Sequence, residues 1–233
     1  MNTGIILAAG KGSRMKAGIN KQYLNLNGRP LLSYSLEVFF TCIGIDEIIL
    51  VISRSDNEIF YDKILNDFHM NKPLKVVFGG DERQESVRKG LKEADKNTDI
   101  IIIHDGARPF ITTEMIETCI KEASKYGASS LGVPVKETIK ITDNENFVIN
   151  TPDREKLWIT QTPQAFKHNL IVQAHKHAHE QGKKATDDAM LVEYLNHSVK
   201  MVVGDYCNIK ITTAEDLVIA EAMMASFMRN KRL

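Results

Sequence analysis

Residues 100–109, Ile100-Ile101-Ile102-Ile103-His104-Asp105-Gly106-Ala107-Arg108-Pro109, decide how this chain folds. Four consecutive isoleucines fit a strand covered on both faces, because a half-exposed strand would alternate apolar with polar side chains. His104-Asp105-Gly106 closes that strand at its carboxyl end, where open α/β sheets bind their ligands. Asp105 and Arg108, bounded by Gly106 and Pro109, have neither a helix face nor a strand face to solvate. Asp105 can offer hard oxygen to Mg²⁺, and Arg108 can meet an anion nearby. A salt bridge that merely ends the strand is the alternative.

Working outward, Ile5-Ile6-Leu7-Ala8-Ala9 reads as a first strand, and 48–52, 74–78 and 128–133 as further strands. Stretches 30–40, 56–68, 84–94 and 113–126 have the amphipathic spacing of helices between them. This alternation predicts repeated βαβ units: an α/β fold with a mostly parallel central sheet and helices on both faces. After Pro134 the rhythm changes. Residues 135–141 and 146–150 alternate with period two around Asp143-Asn144-Glu145-Asn146, which predicts a protruding β-hairpin. Helices are expected at 168–181 and 186–195, strands at 199–203 and 208–212, and a last helix opened by Thr213-Ala214-Glu215-Asp216 with capping-box spacing. Without a repeat or a linker, the expectation is one domain over 1–233 with an arm at about 135–157.

Composition limits the function. Thirty basic and thirty acidic side chains cancel, so no global field argues for nucleic acid or an anionic membrane. The apolar start Thr3 to Ala9 is too short for a membrane span and lacks a signal-peptide layout. Cys42, Cys119 and Cys207 are few, odd in number and widely spaced, which fits a reducing cytoplasm better than a disulfide framework or a zinc site.

Two loops join the Asp105 turn as candidates. In Ala8-Ala9-Gly10-Lys11-Gly12-Ser13-Arg14-Met15 the glycines let backbone N–H groups approach phosphates, and Arg14, with Lys21 behind it, can add a clamp. The Walker A and GxGxxG patterns are both missing, so an ordinary βα turn is the competing reading. In Gly79-Gly80-Asp81-Glu82-Arg83-Gln84-Glu85-Ser86 two glycines permit close approach to a flat base, with Ser86 one turn into a helix; alone, it reads equally as a polar helix start. His175, His177 and His179 read as a solvated helix face rather than a metal site, and Met223, Met224 and Met228 as core or dimer packing. No GxSxG or Cys–His arrangement supplies a protein nucleophile. An attacking phosphate monoester would need none, being mostly dianionic at pH 7 with a second pKa of about 6.

Taken in order, AAGKGSRM, NKQYL, GGDERQESV, HDGARPF, VPVKETIK, DREKLW, QTPQAF, ATDDA and NIKITTAEDL resemble the 2-C-methyl-D-erythritol 4-phosphate cytidylyltransferase family from Gly4 to about Glu221. The resemblance implies a Rossmann-like nucleotidyltransferase fold, and transfer of a cytidylyl group from CTP to methylerythritol phosphate with Mg²⁺. It implies that Ala8, Ala9 and Gly10 line the CTP site, Arg14 and Lys21 clamp its phosphates, and Gly80, Asp81 and Ser86 meet the cytosine. Asp105 would bind the metal, Ala107 would lie against the nucleotide, and Lys210 would reach the α-phosphate. Arg108, Thr162 and Thr186 would face the acceptor. Thr138 and Arg154, carried on the arm into a second subunit of a homodimer, would complete the partner's site. Asn20 where the family often has Pro, and Glu137 where Asp is common, are departures that touch none of these residues. A ribitol 5-phosphate cytidylyltransferase shares RPF, QTPQ and NIK but differs at HDGARPF, DREKLW and ATDDA. A dinucleotide-dependent dehydrogenase would need its fingerprint glycines and an acidic residue where Ile52-Ser53-Arg54 stands. A non-catalytic nucleotide-binding protein would have no use for Arg14, Lys21, Asp105 and Lys210 together.

Overall fold

The computed structural model describes residues 1–10, 20–65, 68 and 70–230, the last three by their backbone alone. Strand β1 (Asn2–Ala8) is followed by a short hairpin, β2 (Asn25–Leu26) and β3 (Arg29–Pro30), and by helix α1 (Leu31–Thr41). The hairpin turns through Asn27 and Gly28, both at positive φ (51° and 83°), the Asn-Gly pair that a two-residue turn prefers. Next come β4 (Glu47–Ile52), α2 (Asn57–Lys63), β5 (Leu74–Phe78), α3 (Arg83–Glu93), β6 (Ile100–Asp105), α4 (Thr113–Tyr126) and β7 (Ala128–Pro134). A ribbon of β8 (Ile141–Thr142) and β9 (Val148–Asn150) precedes β10 (Trp158–Lys167), α5 (His168–Glu180), α6 (Asp188–Glu193), β11 (Lys200–Val203) and α7 (Ala214–Asn230).

Seven strands form one sheet in the order β11-β7-β10-β6-β1-β4-β5, with β10 antiparallel to both neighbours and every other pairing parallel. Period-two alternation explains why both faces are covered. Ile6, Ile48, Leu50, Ile52, Ile100 and Ile102 pack on one side with Leu36 and Phe39 of α1 and Ile116 and Cys119 of α4. Ile5, Ile49, Val51, Ile101 and Ile103 pack on the other with Val87 of α3, Ile171 and Ala174 of α5 and Leu191 of α6. The chain runs from β1 outward through β4 and β5, then returns to place β6 on the opposite side of β1. Strand order therefore reverses between β1 and β6, and such a reversal opens a crevice at the carboxyl ends.

Several expectations change. The ten-residue strand β10 occupies the middle of the sheet although residues 158–167 carry no apolar period. Gln164 and Thr162 are buried there because hydrogen bonds to Ser130, Asp187 and His104 satisfy them. Residues 208–212 are no strand: Ile211 N donates to the Ala107 carbonyl (2.9 Å) and Arg108 Nη1 to the Asn208 carbonyl (2.7 Å), so loop partners take up this backbone. Over 56–68 the α-helix is only Asn57–Lys63, with a 3₁₀ turn Arg54–Asp56 before it. The hairpin pairs only at 141–142 with 148–150, and neither strand is covered: Phe147, Val148 and Ile149 are 67%, 58% and 66% exposed.

If β10 anchors the core, Phe166→Ala, which empties a fully buried position, lowers unfolding free energy by roughly 3–5 kcal/mol in urea titrations. A loss below about 1 kcal/mol would mean that the strand is peripheral.

Candidate active site

The crevice at the β1/β6 reversal gathers the loops after β1, β5 and β6. Ala8, Ala9 and Gly10 end the first strand, Gly80, Asp81 and Ser86 follow β5, and Ala107 follows Asp105. All of these, with Lys21 and Lys210, line a cleft of about 250 Å³. Two local devices shape its walls. A Cβ at Gly79 would lie 2.5 Å from Ala9 Cβ and 2.7 Å from Ser86 Oγ, so only glycine lets the two loops touch. Gln22, buried beneath, donates from Nε2 to the carbonyls of Ala8 and Gly10. Ser86 Oγ accepts from Gly80 N (3.0 Å) and donates to the Glu82 carbonyl (3.2 Å), which leaves a single lone pair for a ligand.

A second cavity of about 260 Å³ adjoins the first, lined by Arg108, Thr162 and Thr186 among others. Arg83, Asp105 and Lys210 line both cavities. Asp105 is their shared centre: Oδ1 receives Arg83 Nε at 3.2 Å and Oδ2 receives Lys210 Nζ at 2.7 Å. Burial would raise the Asp105 pKa, but the Arg83 and Lys210 charges outweigh it and hold the carboxyl far below the usual carboxylate range. Lys210 stands here because its neighbours are tied down through Ala107 and Asn208. Asn208 in turn donates from Nδ2 to the Thr162 carbonyl (3.0 Å).

Behind Asp105 lies a neutral histidine. Burial pushes His104 down to about 4, with Asp105 partly opposing. Its Nε2 lies 3.2 Å from the Arg108 carbonyl, which assigns the proton to that nitrogen, so Nδ1 accepts from Thr162 Oγ1 at 3.1 Å. Thr162 Oγ1 itself accepts from Asp105 N at 3.0 Å. The chain of three bonds fixes Thr162 at the mouth of the second cavity.

Thr138 and Arg154, expected at a partner subunit's site, line neither cavity of their own chain; both are exposed, and Arg154 Nη1 donates to the Lys136 carbonyl (2.8 Å). Arg14 lies outside the described residues. In the sequence Arg83 is only part of a polar helix start; in the structure it links Asp105 to Asp188, through Nη1 to Asp188 Oδ2 at 2.7 Å. The reading of His175 as solvated is wrong. It is buried, with Nε2 3.0 Å from Asp188 Oδ1, since it follows Ile171 by four residues on the core face of α5.

A family model, 2-C-methyl-D-erythritol 4-phosphate cytidylyltransferase, matches residues 3–226. The chain belongs to this family. The enzyme of that name from Caldanaerobacter subterraneus is 50% identical over 220 residues, covering 94% of this chain and 97% of the relative. The Clostridium botulinum enzyme is 46% identical, covering 96% and 97%. Among solved structures, 4-diphosphocytidyl-2C-methyl-D-erythritol synthase from Anaerococcus prevotii superposes with a TM-score of 0.88 at 36% identity, covering 97% and 96%. The Thermus thermophilus cytidylyltransferase superposes with a TM-score of 0.74 at 31% identity, covering 96% and 98%. No helix among the described residues is long and apolar enough to cross a membrane.

The neutral His104 has a measurable consequence. Unfolded, it takes a proton near pH 6.5; folded, only near pH 4. The unfolded state therefore binds more protons in that window, and stability falls as pH drops through it, by roughly 2 kcal/mol between pH 7.5 and 5. Asp105, held low, acts only below about pH 4. Urea titrations of His104→Gln should show a correspondingly shallower loss, whereas an unchanged slope would mean that His104 is not buried as the neutral form.

Proposed function

We propose that the chain transfers the cytidylyl group of CTP to 2-C-methyl-D-erythritol 4-phosphate, giving 4-diphosphocytidyl-2-C-methyl-D-erythritol and pyrophosphate. Family membership supports the reaction. The observation that carries its location is the pair of cavities meeting at Asp105, Arg83 and Lys210. One is walled by backbone and small residues suited to a nucleotide, the other by hydroxyls and Arg108 suited to a polyol phosphate. In the reaction an acceptor phosphate oxygen bonds to the α-phosphorus of CTP as the bond to the β-phosphate oxygen breaks. Pyrophosphate leaves with that electron pair. The attacking group is already an anion, so positioning and charge neutralisation supply the catalysis.

On this reading Arg14 and Lys21 hold the triphosphate, Ala8, Ala9, Gly10, Gly80, Asp81, Ser86 and Ala107 enclose the nucleoside, and Lys210 meets the α-phosphate and its attacker. Arg108, Thr162 and Thr186 orient the acceptor. Mg²⁺ fits the donor set: it seldom has an all-protein cage and takes one or two carboxylates plus substrate phosphates. Asp105 supplies such a carboxylate, and among the described residues no group of three His, Cys, Asp or Glu competes for an ion. When bound, the ion would offset charge on the triphosphate, and Asp105, paired here with Lys210, is the carboxylate that would hold it. The free thiols Cys42, Cys119 and Cys207 support work in the cytoplasm.

We also infer a homodimer whose arms complete each other's sites. The ribbon is too short to stand alone in water, and its exposed apolar side chains, Ile141, Phe147, Val148 and Ile149, need a cover. A two-fold axis would let each arm supply one. Thr138 and Arg154 would then reach a partner subunit's acceptor cavity.

Pyrophosphate release tests the reaction. CTP with methylerythritol phosphate should be turned over, ribitol 5-phosphate poorly, and Lys210→Ala should lower kcat/KM by roughly 10²–10³. Preference for ribitol phosphate, or near-normal activity in Lys210→Ala, would overturn the reading. For the shared site, an inactive Arg154→Ala chain is mixed with an inactive Lys210→Ala chain. After subunit exchange a heterodimer can carry both lesions in one site, and the other site should regain activity. Verified exchange without recovery would mean that each chain serves itself.

A further inference from the structure

The two cations on Asp105 are unlike. Lys210 is a single flexible amine, 37% exposed, whose one ion pair among the described residues is with Asp105 Oδ2. Arg83 is gripped at both ends, by Asp105 Oδ1 through Nε and by Asp188 Oδ2 through Nη1. Asp188 is 1% exposed, its second oxygen is taken by His175, and it lines neither cavity. Burial would raise the Asp188 pKa, but Arg83 and then His175 hold it low, so it is a carboxylate.

A merely structural role would have the Arg83–Asp188 pair pin α6 against the sheet. That segment is already secured without the charge. Asp187 caps α6 by accepting from Met190 N (2.9 Å), and Gln164 Oε1 accepts from the N–H groups of Asp188 and Ala189 (3.1 and 3.2 Å). A buried ion pair is in any case a weak stabiliser compared with apolar side chains of the same volume. What the pair does accomplish is to aim a planar, rigid guanidinium at one chosen oxygen of Asp105.

We propose that Asp188 is a positioning residue: through Arg83 it fixes Oδ1 of Asp105, so that Oδ2 alone is free to exchange Lys210 for an incoming ligand. The inference rests on the reading of Asp105 as the ligand-binding centre. Arg83 then stays in place while Lys210 moves to the substrate phosphate, and the carboxylate does not rotate when its mobile partner leaves. Removing the Asp188 charge frees Arg83 to swing, and the oxygen meant for the ligand becomes one of two competing orientations.

The test is a double-mutant cycle on binding rather than turnover. Calorimetry gives the affinity of CTP with Mg²⁺ for the unaltered chain, Asp188→Asn, Asp105→Asn and the double variant. Asp188→Asn is expected to weaken binding about five- to tenfold when Asp105 is present, and less than about twofold when Asp105 is already Asn. Equal weakening in both backgrounds, which a structural role predicts, or no weakening in either, would overturn the proposal. Should Asp188→Asn not fold, Arg83→Lys replaces it in the same cycle, since a lysine keeps the charge but cannot span two carboxylates; the expected coupling to Asp105 and the overturning result are unchanged. Failure of the unaltered chain to bind CTP with Mg²⁺ would bring down the functional reading itself, and it would be seen before any substitution is compared.

Discussion

A buried negative charge at the end of the central strand organises the surroundings of the crevice. Asp105 leaves β6 where the sheet offers it no solvent, and an uncompensated carboxylate there would be strongly destabilising. The fold answers with Arg83 from the start of α3 and Lys210 from the loop before α7, which are far apart in sequence and meet only on this group. Each brings a loop with it. Arg83 follows the glycine pair that walls the first cavity, and Lys210 comes on backbone stapled to Ala107 and Arg108. The same attraction that stabilises the cluster therefore assembles both cavities on either side of it.

That arrangement suits a reaction between two anions. With Asp105 ionised, its charge offsets the repulsion between Arg83 and Lys210 in the resting chain. On the proposed reading Lys210 would pass from Oδ2 to a phosphate oxygen, which offers it the same kind of charge-assisted contact. His104, neutral and enclosed, is no proton donor to this chemistry. Its part is to hold Thr162 through a hydroxyl hydrogen bond, and it does so only as long as Nδ1 stays unprotonated. On the proposed reading the chemistry needs no acid–base side chain, because a phosphate monoester brings its own charge.

How much of this could be read from the residues depends on whether burial was apolar or polar. The strands of β1, β4 and β6 announce themselves as unbroken aliphatic runs, and Asp105 stands where such a strand must end. Strand β10 gives no such signal, because Thr162 and Gln164 are buried for their hydrogen bonds, and a pattern of hydrophobicity cannot register satisfied amides and hydroxyls. Arg83 looks like any polar residue at a helix start until Asp188, 105 residues on, is seen to hold its other end. His175 was legible: Ile171, Ala174 and Ala178 mark the core face of α5, and a histidine four residues beyond Ile171 falls on it. Its spacing from His177 and His179 is a competing signal that points to the solvent face instead. Segment 208–212 alternates like a strand, yet its partners are loop carbonyls and an arginine, contacts that only the folded chain supplies.

The charge balance inside the second cavity bears on the second subunit that the functional reading infers. Among the described residues, three cations line that cavity, and each is already engaged. Arg83 spans two carboxylates, Lys210 sits on Asp105, and Arg108 is drawn into the protein, with Nη1 on the Asn208 carbonyl and Nε buried without a partner. Burial lowers the Arg108 pKa, with Asp105 opposing, and the guanidinium stays charged. On the proposed reading the acceptor's single phosphate is the attacking group, so Lys210 would be shared between it and the α-phosphate, and a further cation would help to hold it. Arg154, exposed on the arm and donating to a single backbone carbonyl, is a cation whose guanidinium has bidentate capacity to spare. On the inferred dimer, an arm laid across a two-fold axis would cover the exposed apolar side chains of the ribbon and could bring Arg154 to the acceptor phosphate in a partner subunit.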